Sequence, residues 1–366
     1  GRRVILDYNR YKNGVAEYDA TSTKTDWFAG LSYGGHTTED NAITVTGVAE
    51  GKTIKYISGG RTEGSAGDAK NNTVRVESTA YKNTARTAAG TGTIENVYGG
   101  FIGSDKNAGC ATGNTVDLSG GIVKTVYGGY TRGTGKTTGN TVRFTGGTVT
   151  GTIYGGSDAK DVKENTLVVS GERTAGQIAN FEKLHFNADM AKANDTLLTL
   201  KGGTATAGLN WQKLEASGLD ENRLKTLTSP FTEKLFSLME NAKGLDFGTT
   251  YDKAKEKTVG DYEYTIDTDT KGAAAQKVVV RGFQFQNNGD AKYETGDNKA
   301  AWGGRSLIGN TVQRNNLTVT GGTLESAYGG LNAKGNVTGN TLVLAGGTVK
   351  NAYGGFAEST GNATAN

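Results

Sequence analysis

The side chains best suited to catalysis or metal binding are few in this chain and far apart. There are two histidines, His36 and His185, and one cysteine, Cys110. His36 follows Tyr33-Gly34-Gly35, and His185 lies in the run FEKLHF. A histidine base needs a nucleophile or a carboxylate within hydrogen-bond reach. No local motif supplies one, because HExxH and any cysteine cluster are missing from the sequence. A single thiol cannot close an internal disulfide. Sparing use of cysteine suits a chain that crosses an oxidising compartment unfolded, and it suits many cytosolic chains as well.

Acidic residues near glycine raise the question of calcium. The runs GGSDAKD (155–161) and GGFIGSD (99–105) place Asp158, Asp161 and Asp105 beside glycines. The calcium-binding nonapeptide requires tandem GGxGxDxUx, and neither spacing nor repetition fits. Asp158 and Asp161 are expected to cap a bend, and neither a metal nor another cofactor is expected.

The elements that would position any site follow from the glycines. Of 366 residues, 57 are glycine and one is proline. Collagen would need a three-residue glycine period with abundant proline. A flexible linker would lack the recurring Val, Ile, Leu and Tyr. The glycines therefore belong to an ordered, repeating fold. A formal charge of +3 leaves no electrostatic footprint for nucleic acid. No window approaches eighteen apolar residues, so this segment is not expected to insert in a membrane. The basic start, GRRVILDYNRYKNG, carries no apolar core of a signal peptide.

Three marks repeat. An aromatic-Gly-Gly mark begins at Tyr33, Tyr98, Tyr127, Tyr154, Trp302, Tyr328 and Tyr353, with a weaker copy at Ile57-Ser58-Gly59-Gly60. Between these marks stand Asn41, Asn72, Asn114, Asn140, Asn165, Asn315 and Asn340, each followed by apolar residues two and four positions on. Examples are Val116/Leu118 and Val142/Phe144, with polar Asp117 and Arg143 between them. That alternation marks a strand with one buried face. The third mark follows a second Gly-Gly, as in GIVKTVYGG and GTVKNAYGG, where the apolar residues are three apart and a corner is expected.

Short strands joined by tight bends in coils of 24–29 residues predict an all-β fold, a right-handed parallel β-helix or β-solenoid with about three strands per coil. Glycine would supply the positive-φ corners. The Asn residues would form a column, since an amide both donates and accepts. Tyr98, Tyr127, Tyr154, Tyr328 and Tyr353 would stack from coil to coil, and the first three could alternatively form a ligand platform. Loop length varies most between Tyr-Gly-Gly and the next Asn, which would decorate one side of the rod. Phe101, Tyr130 and Arg132, at the start of those loops, are the candidate binding residues. Catalytic carboxylates would appear as an acidic column on neighbouring coils. Instead the exposed position holds Thr44, Arg75, Asp117, Arg143 and Val168 in turn. Nor does a regular Thr-x-Thr array, as an ice-binding face would need, persist.

Residues 204–300 interrupt the marks, dividing the chain into a solenoid over 1–203, an α+β insertion, and a solenoid over 301–366. FEKLHF and NDTLLTLKGG still read as solenoid strands, with Leu198 and Leu200 inward. Asp220 is expected to cap a short helix over 220–227. Ser229-Pro230, followed by Phe231, Leu235, Leu238, Met239 and Ala242, predicts a second helix over about 229–243. Two alternating runs predict a hairpin over about 259–286. The insertion could pack on the flank of the rod, cap an apolar end or project as a recognition module, and packing is expected.

The consensus N-T-[VL]-x-[LFV]-[ST]-G-G-[TI]-V-x-x-[VAI]-Y-G-G, clearest over 95–171 and 301–366, resembles the passenger region of large autotransporter-type adhesins of Gram-negative bacteria. Residues 176–203 resemble a segment found after such repeats. The resemblance implies a right-handed β-helix displayed outside the cell on the bacterial outer membrane. It also implies that the anchoring barrel and export signal lie outside this piece. The partners implied are proteins or glycans of host or bacterial surfaces, with self-association as a further option. The expected role is a non-catalytic adhesin segment. A polysaccharide lyase or hydrolase and a plain structural spacer are the alternatives.

Overall fold

The computed structural model describes residues 13–18, 24–82, 88–270, 275–286 and 290–366. The basic N-terminal run therefore falls almost wholly outside the described residues. The chain winds into a β-solenoid of about 13 turns, and its strands lie in parallel register over their counterparts one coil away. Thr115–Leu118 pairs with Thr73–Val76 on one side and Thr141–Phe144 on the other. Tyr98 lies over Tyr127, and Gly100 over Gly129.

The inward positions pile into columns. Ile43, Val74, Val116, Val142, Leu167, Leu184 and Leu214 form one, and each is buried. Trp27, Ile57, Val97, Val126, Ile153 and Ile178 form another. Each buried apolar side chain contributes about 1.5–3 kcal/mol. β-Branched residues suit the pleated surface, so the columns hold the coils in register. Val123 and Val126 are both buried while Lys124 between them is exposed, so alternation breaks where the corner was expected.

Glycine plays two different parts. In the Gly-Gly that follows the Asn strand, the second residue turns a corner: Gly121, Gly147, Gly322 and Gly347 have φ of 84°, 74°, 75° and 79°. The Gly-Gly after the aromatics of the ladder is not a corner, contrary to expectation, and serves close approach, whereas Gly35 after Tyr33 does turn with φ of 79°. A Cβ on Gly100 or Gly330 would lie 2.6 Å from Nδ2 of Asn114 or Asn340. The column Asn is likewise not left-handed. The residue before it takes that conformation, as Asp40, Asn71, Gly113, Gly139, Glu164, Arg314 and Gly339 show.

This contact pinches each coil into two lobes. The large lobe holds the Val/Ile/Leu core. The small lobe is formed by the loops between Gly-Gly and Asn, which stack in order rather than vary freely. Short strands Thr38–Glu39, Ala69–Lys70 and Ala111–Thr112 pair there, over a small core of Ala69, Ile102 and Ala111.

Solenoid pairing runs further into the expected insertion than residue 204. Leu214–Ser217 pairs with Lys183–Asn187, and Phe236–Asn241 pairs in parallel with Thr196–Leu200. The helix expected over 229–243 is absent. Leu235, Phe236, Leu238 and Met239 are all fully buried because neighbours cover both faces of the strand. A strand buried on both sides shows a near-continuous apolar run that imitates helical spacing. Ser229 accepts the Phe231 N–H in a turn, and Pro230 starts no helix. The short helix α1, Glu221–Leu227, does form, and Asp220 Oδ1 accepts the Arg223 N–H at 2.8 Å.

The hairpin is present and gains a strand. Lys255–Val259, Tyr262–Thr268 and Lys277–Gln284 make an antiparallel meander whose last strand pairs with Phe236–Asn241. Tyr262, Tyr264, Ile266, Val278 and Val280 join the core that begins at Trp27, so the meander packs as a cap on the first stack. Its outgoing strand seeds the second stack. Phe283 packs with Trp302 and Leu331, and Phe285 with Val312 and Val337.

Candidate functional site

The Asn column forms in two runs. Asn41, Asn72, Asn114, Asn140 and Asn165 are buried, and the Nδ2 of each donates to Oδ1 of the next at 2.8–3.3 Å. The same Oδ1 atoms accept backbone N–H groups, for example Asn114 N at 3.0 Å from Asn140 Oδ1. The second amide hydrogen reaches a small-lobe carbonyl, as from Asn114 to Ala69 O and from Asn140 to Ala111 O. Asn315, Asn340 and Asn366 repeat this in the second stack. Asn315 Oδ1, at the start of the second run, is buried without a partner; the amides bonded on both sides are structural groups with no spare capacity for a ligand.

The outward side of the same pinch carries aromatics. Tyr98, Tyr127 and Tyr154 stack with centroids 5.3 and 4.6 Å apart and rings nearly parallel. Phe101 and Tyr130 form a second file 5.4 Å apart. The two files meet edge-to-face across the Gly-Gly, at 4.8 Å for Tyr98–Phe101 and 5.0 Å for Tyr127–Tyr130. Tyr328 and Tyr353 stack at 5.2 Å, with Phe356 beside them. Each such pair is worth about 0.5–1.5 kcal/mol beyond its area.

Stacking decides what this strip offers. Ring faces are used against one another, so a flat platform is not available along its length, and the strip presents edges and phenol oxygens instead. Burial pushes the Tyr127 phenol up to about 12, and burial with the nearby Tyr127 and Tyr130 phenols raises Tyr98 further. Both phenols therefore remain neutral hydrogen-bonding groups at physiological pH. Arg132 is exposed and close enough to Tyr98 to oppose that rise. Phe101, Tyr130 and Arg132 are thus brought together at one place on the rod, but Phe101 is buried beneath its neighbours, and only Tyr130 and Arg132 of the three are open to a partner.

Two arginines were missed. Arg61 covers Phe101 at 5.1 Å, and Arg305 covers Trp302 at 4.5 Å and Phe283 at 4.8 Å. Each follows its Gly-Gly directly, at the position that Phe101 and Tyr130 occupy, so the repeat alignment held the signal. Tyr33 was assigned to the wrong column. The register places Phe28 over Ser58, which lies over Tyr98, and Tyr33 is 61% exposed outside the ladder.

The remaining chemistry-bearing groups are scattered. His185 Nε2 lies 3.0 Å from Ser217 Oγ, and its Nδ1 lies 3.9 Å from Glu215. The second distance is too long for the hydrogen bond that would hold a catalytic tautomer. Arg75, Asp117 and Arg143 form an ionic row on exposed strand faces, worth little individually. Among the described residues, no cluster of three or more His, Cys, Asp and Glu is placed to hold a metal ion. No helix among them is long and apolar enough to cross a membrane. Glu263 is fully buried at the junction of meander and second stack. It accepts from Ser306 Oγ at 2.8 Å, Asn310 Nδ2 at 2.9 Å and Leu307 N at 2.5 Å. No repeat signal announces it.

No protein-family model matches the chain, and neither the curated proteins nor the solved structures contain a match to it.

Proposed function

We propose that this chain is a non-catalytic adhesin segment, displayed outside the cell on a bacterial outer membrane as part of an autotransporter-type protein. Its partner is a protein or glycan of a host or bacterial surface. The observation that carries this reading is the aromatic strip of half-buried Tyr127, Tyr130 and Tyr154, backed by buried Tyr98 and Phe101, with the exposed Arg132 guanidinium beside it. Aromatic and arginine side chains are the residues that dominate binding energy at interfaces. Many copies on one surface multiply weak contacts. The repeat's resemblance to adhesin passengers supports the same reading.

The test uses beads coated with the whole chain against panels of epithelial cells, bacteria and immobilised glycans. Attachment should fall about tenfold with Tyr130→Ser/Arg132→Ser, a loss typical of a modest hot spot, while circular dichroism is unchanged. Beads that attach to nothing favour a spacer. New reducing ends or unsaturated products from polysaccharides would establish an enzyme. Deleting the insertion is a poor test, since residues 214–217 and 236–241 are solenoid strands.

A further inference from the structure

A cavity of about 470 Å³ opens where the last coils of the first stack meet the meander. Its walls are Thr199–Gly202, Glu240–Lys243 and Gln276–Lys277. The size lies within the roughly 300–1,000 Å³ range of small-ligand sites. Three lysines, Lys201, Lys243 and Lys277, and one acidic residue, Glu240, line it, and the Lys277 ammonium meets Glu240 at 3.1 Å.

The walls are held rigidly. Buried Asn241 donates from Nδ2 to Thr204 O at 3.1 Å and Thr206 Oγ1 at 2.8 Å, and its Oδ1 accepts the Lys243 N–H at 2.9 Å. Gln276 Nε2 donates to Ala242 O at 3.0 Å. Glu240 is positioned from both sides, by Lys277 Nζ at 3.1 Å and by Thr199 Oγ1 at 3.4 Å. The Lys201 and Lys243 ammonium groups form none of the described ion pairs and stand on exposed residues at the rim. Nearby Lys234 is held below its ordinary value chiefly by burial, with Lys277 and Arg281 adding to the fall and Glu240 and Asp269 opposing it.

We propose that this cavity binds an acidic sugar residue, with its carboxylate at Lys201 and Lys243 and its hydroxyls donating to Glu240. The chemistry selects this class. Two rim ammonium groups favour a single anionic group. Glu240 disfavours a compact multivalent anion, and it accepts from the hydroxyls that a sugar presents on neighbouring carbons. Thr199 adds a hydroxyl beside the apolar Leu200 and Ala242 that also line the cavity, a mixture suited to a sugar ring with its hydroxyls and C–H faces. The proposal deepens the adhesin reading and rests on it for biological meaning, but the cavity is separate from the aromatic strip.

The experiment is calorimetry on the whole chain with three probes: a glucuronate-containing tetrasaccharide, the same tetrasaccharide with its carboxyls reduced to alcohols, and inorganic sulfate. The acidic tetrasaccharide should bind at least about tenfold tighter than the reduced one and weaken with added salt. Lys201→Ala/Lys243→Ala should remove that preference. Glu240→Gln should weaken the tetrasaccharide while leaving or tightening any sulfate binding, because a charge repelling the anion is lost together with a hydroxyl acceptor. Equal binding of acidic and reduced forms, no binding of either, or insensitivity to the lysine changes would overturn the proposal. So would tighter binding of every anion to Glu240→Gln, the mark of a simple cationic patch. Bead attachment measured in parallel separates the two readings. Attachment without saccharide binding removes the cavity alone, and saccharide binding without any attachment removes the adhesin reading alone.

Discussion

The two solenoid stacks are built from the same coil but are supported differently. The first carries one continuous core from Trp27 through Leu238 to Val280, and the meander closes its far end. The second has a much smaller core around Tyr293, Ala301, Leu317, Val319, Leu324 and Ala327. It starts on borrowed residues: Phe283 beneath its aromatic file and Phe285 beneath its small lobe. Arginine stands at the start of both aromatic files, Arg61 in the first and Arg305 in the second. Only the second arginine ties its file to the insertion, through Glu233 at 2.7 Å. A repeat thus specifies how coils stack, and the non-repeating segment specifies where a stack can begin.

The largest expected effect follows from that dependence. Phe283→Ala empties a buried site under Trp302 and should cost about 3–5 kcal/mol. Hydrogen exchange should rise across 297–357 and stay low across 93–179. Equal acceleration of both stacks would show that they unfold as one unit.

Next come the two sides of the pinch. Gly100→Ala forces a Cβ against the Asn114 amide and should cost about 1–3 kcal/mol, as should Gly304→Ala against Asn315 in the other stack. Asn140→Ala leaves the Asn114 backbone N–H and Nδ2 without their acceptor, at about 1–3 kcal/mol. Denaturant midpoints measure each change. A double-mutant cycle of Gly100→Ala with Asn114→Ala should show coupling, because the clash disappears with the amide.

Glu263 sharpens the comparison through pH, since it joins the meander to the start of the second stack. Burial raises its pKa, and hydrogen bonds from Leu307, Asn310, Ser306 and Ile308 oppose the rise. A raised folded value means that its stability contribution is fully present below the unfolded carboxylate value and is lost as pH rises through the folded one. Glu263→Gln should therefore flatten the pH dependence of exchange protection across 297–357 and leave the first stack unaltered. The facing charges, Glu256 paired with Lys334 at 3.0 Å and Arg305 with Glu233, remain in that variant as an internal control. The smallest effect belongs to Tyr127→Phe, which keeps the stack. It should shift stability by no more than about 0.5 kcal/mol while removing the phenol that titrates at about 12.

Much of the fold was legible because it repeats. Alternation after each Asn marked Val116, Leu118, Val142 and Phe144 as inward, and all four are buried. The Asn column and the tyrosine stacks follow from one position recurring in every coil. Reading was poorest where repetition ended. Phe236–Asn241 looked helical because both its faces are buried, and the strand paired with one of its edges, Lys277–Gln284, lies about forty residues on. Tyr33 misled for the opposite reason: the tripeptide matched while the register did not. The candidate strip was partly legible, with Phe101, Tyr130 and Arg132 found and Arg61 and Arg305 overlooked.

From residue order alone came the coil, its period, its inward columns and the amide and ring files, since each depends on contacts between equivalent positions one turn apart. Three-dimensional packing decided the rest. It set the glycines after each aromatic against an asparagine amide, joined a meander to both stacks, and gathered Lys201, Lys243 and Glu240 around one cavity. Those contacts join residues with no shared place in the repeat, and only the folded chain brings such residues within reach of one another.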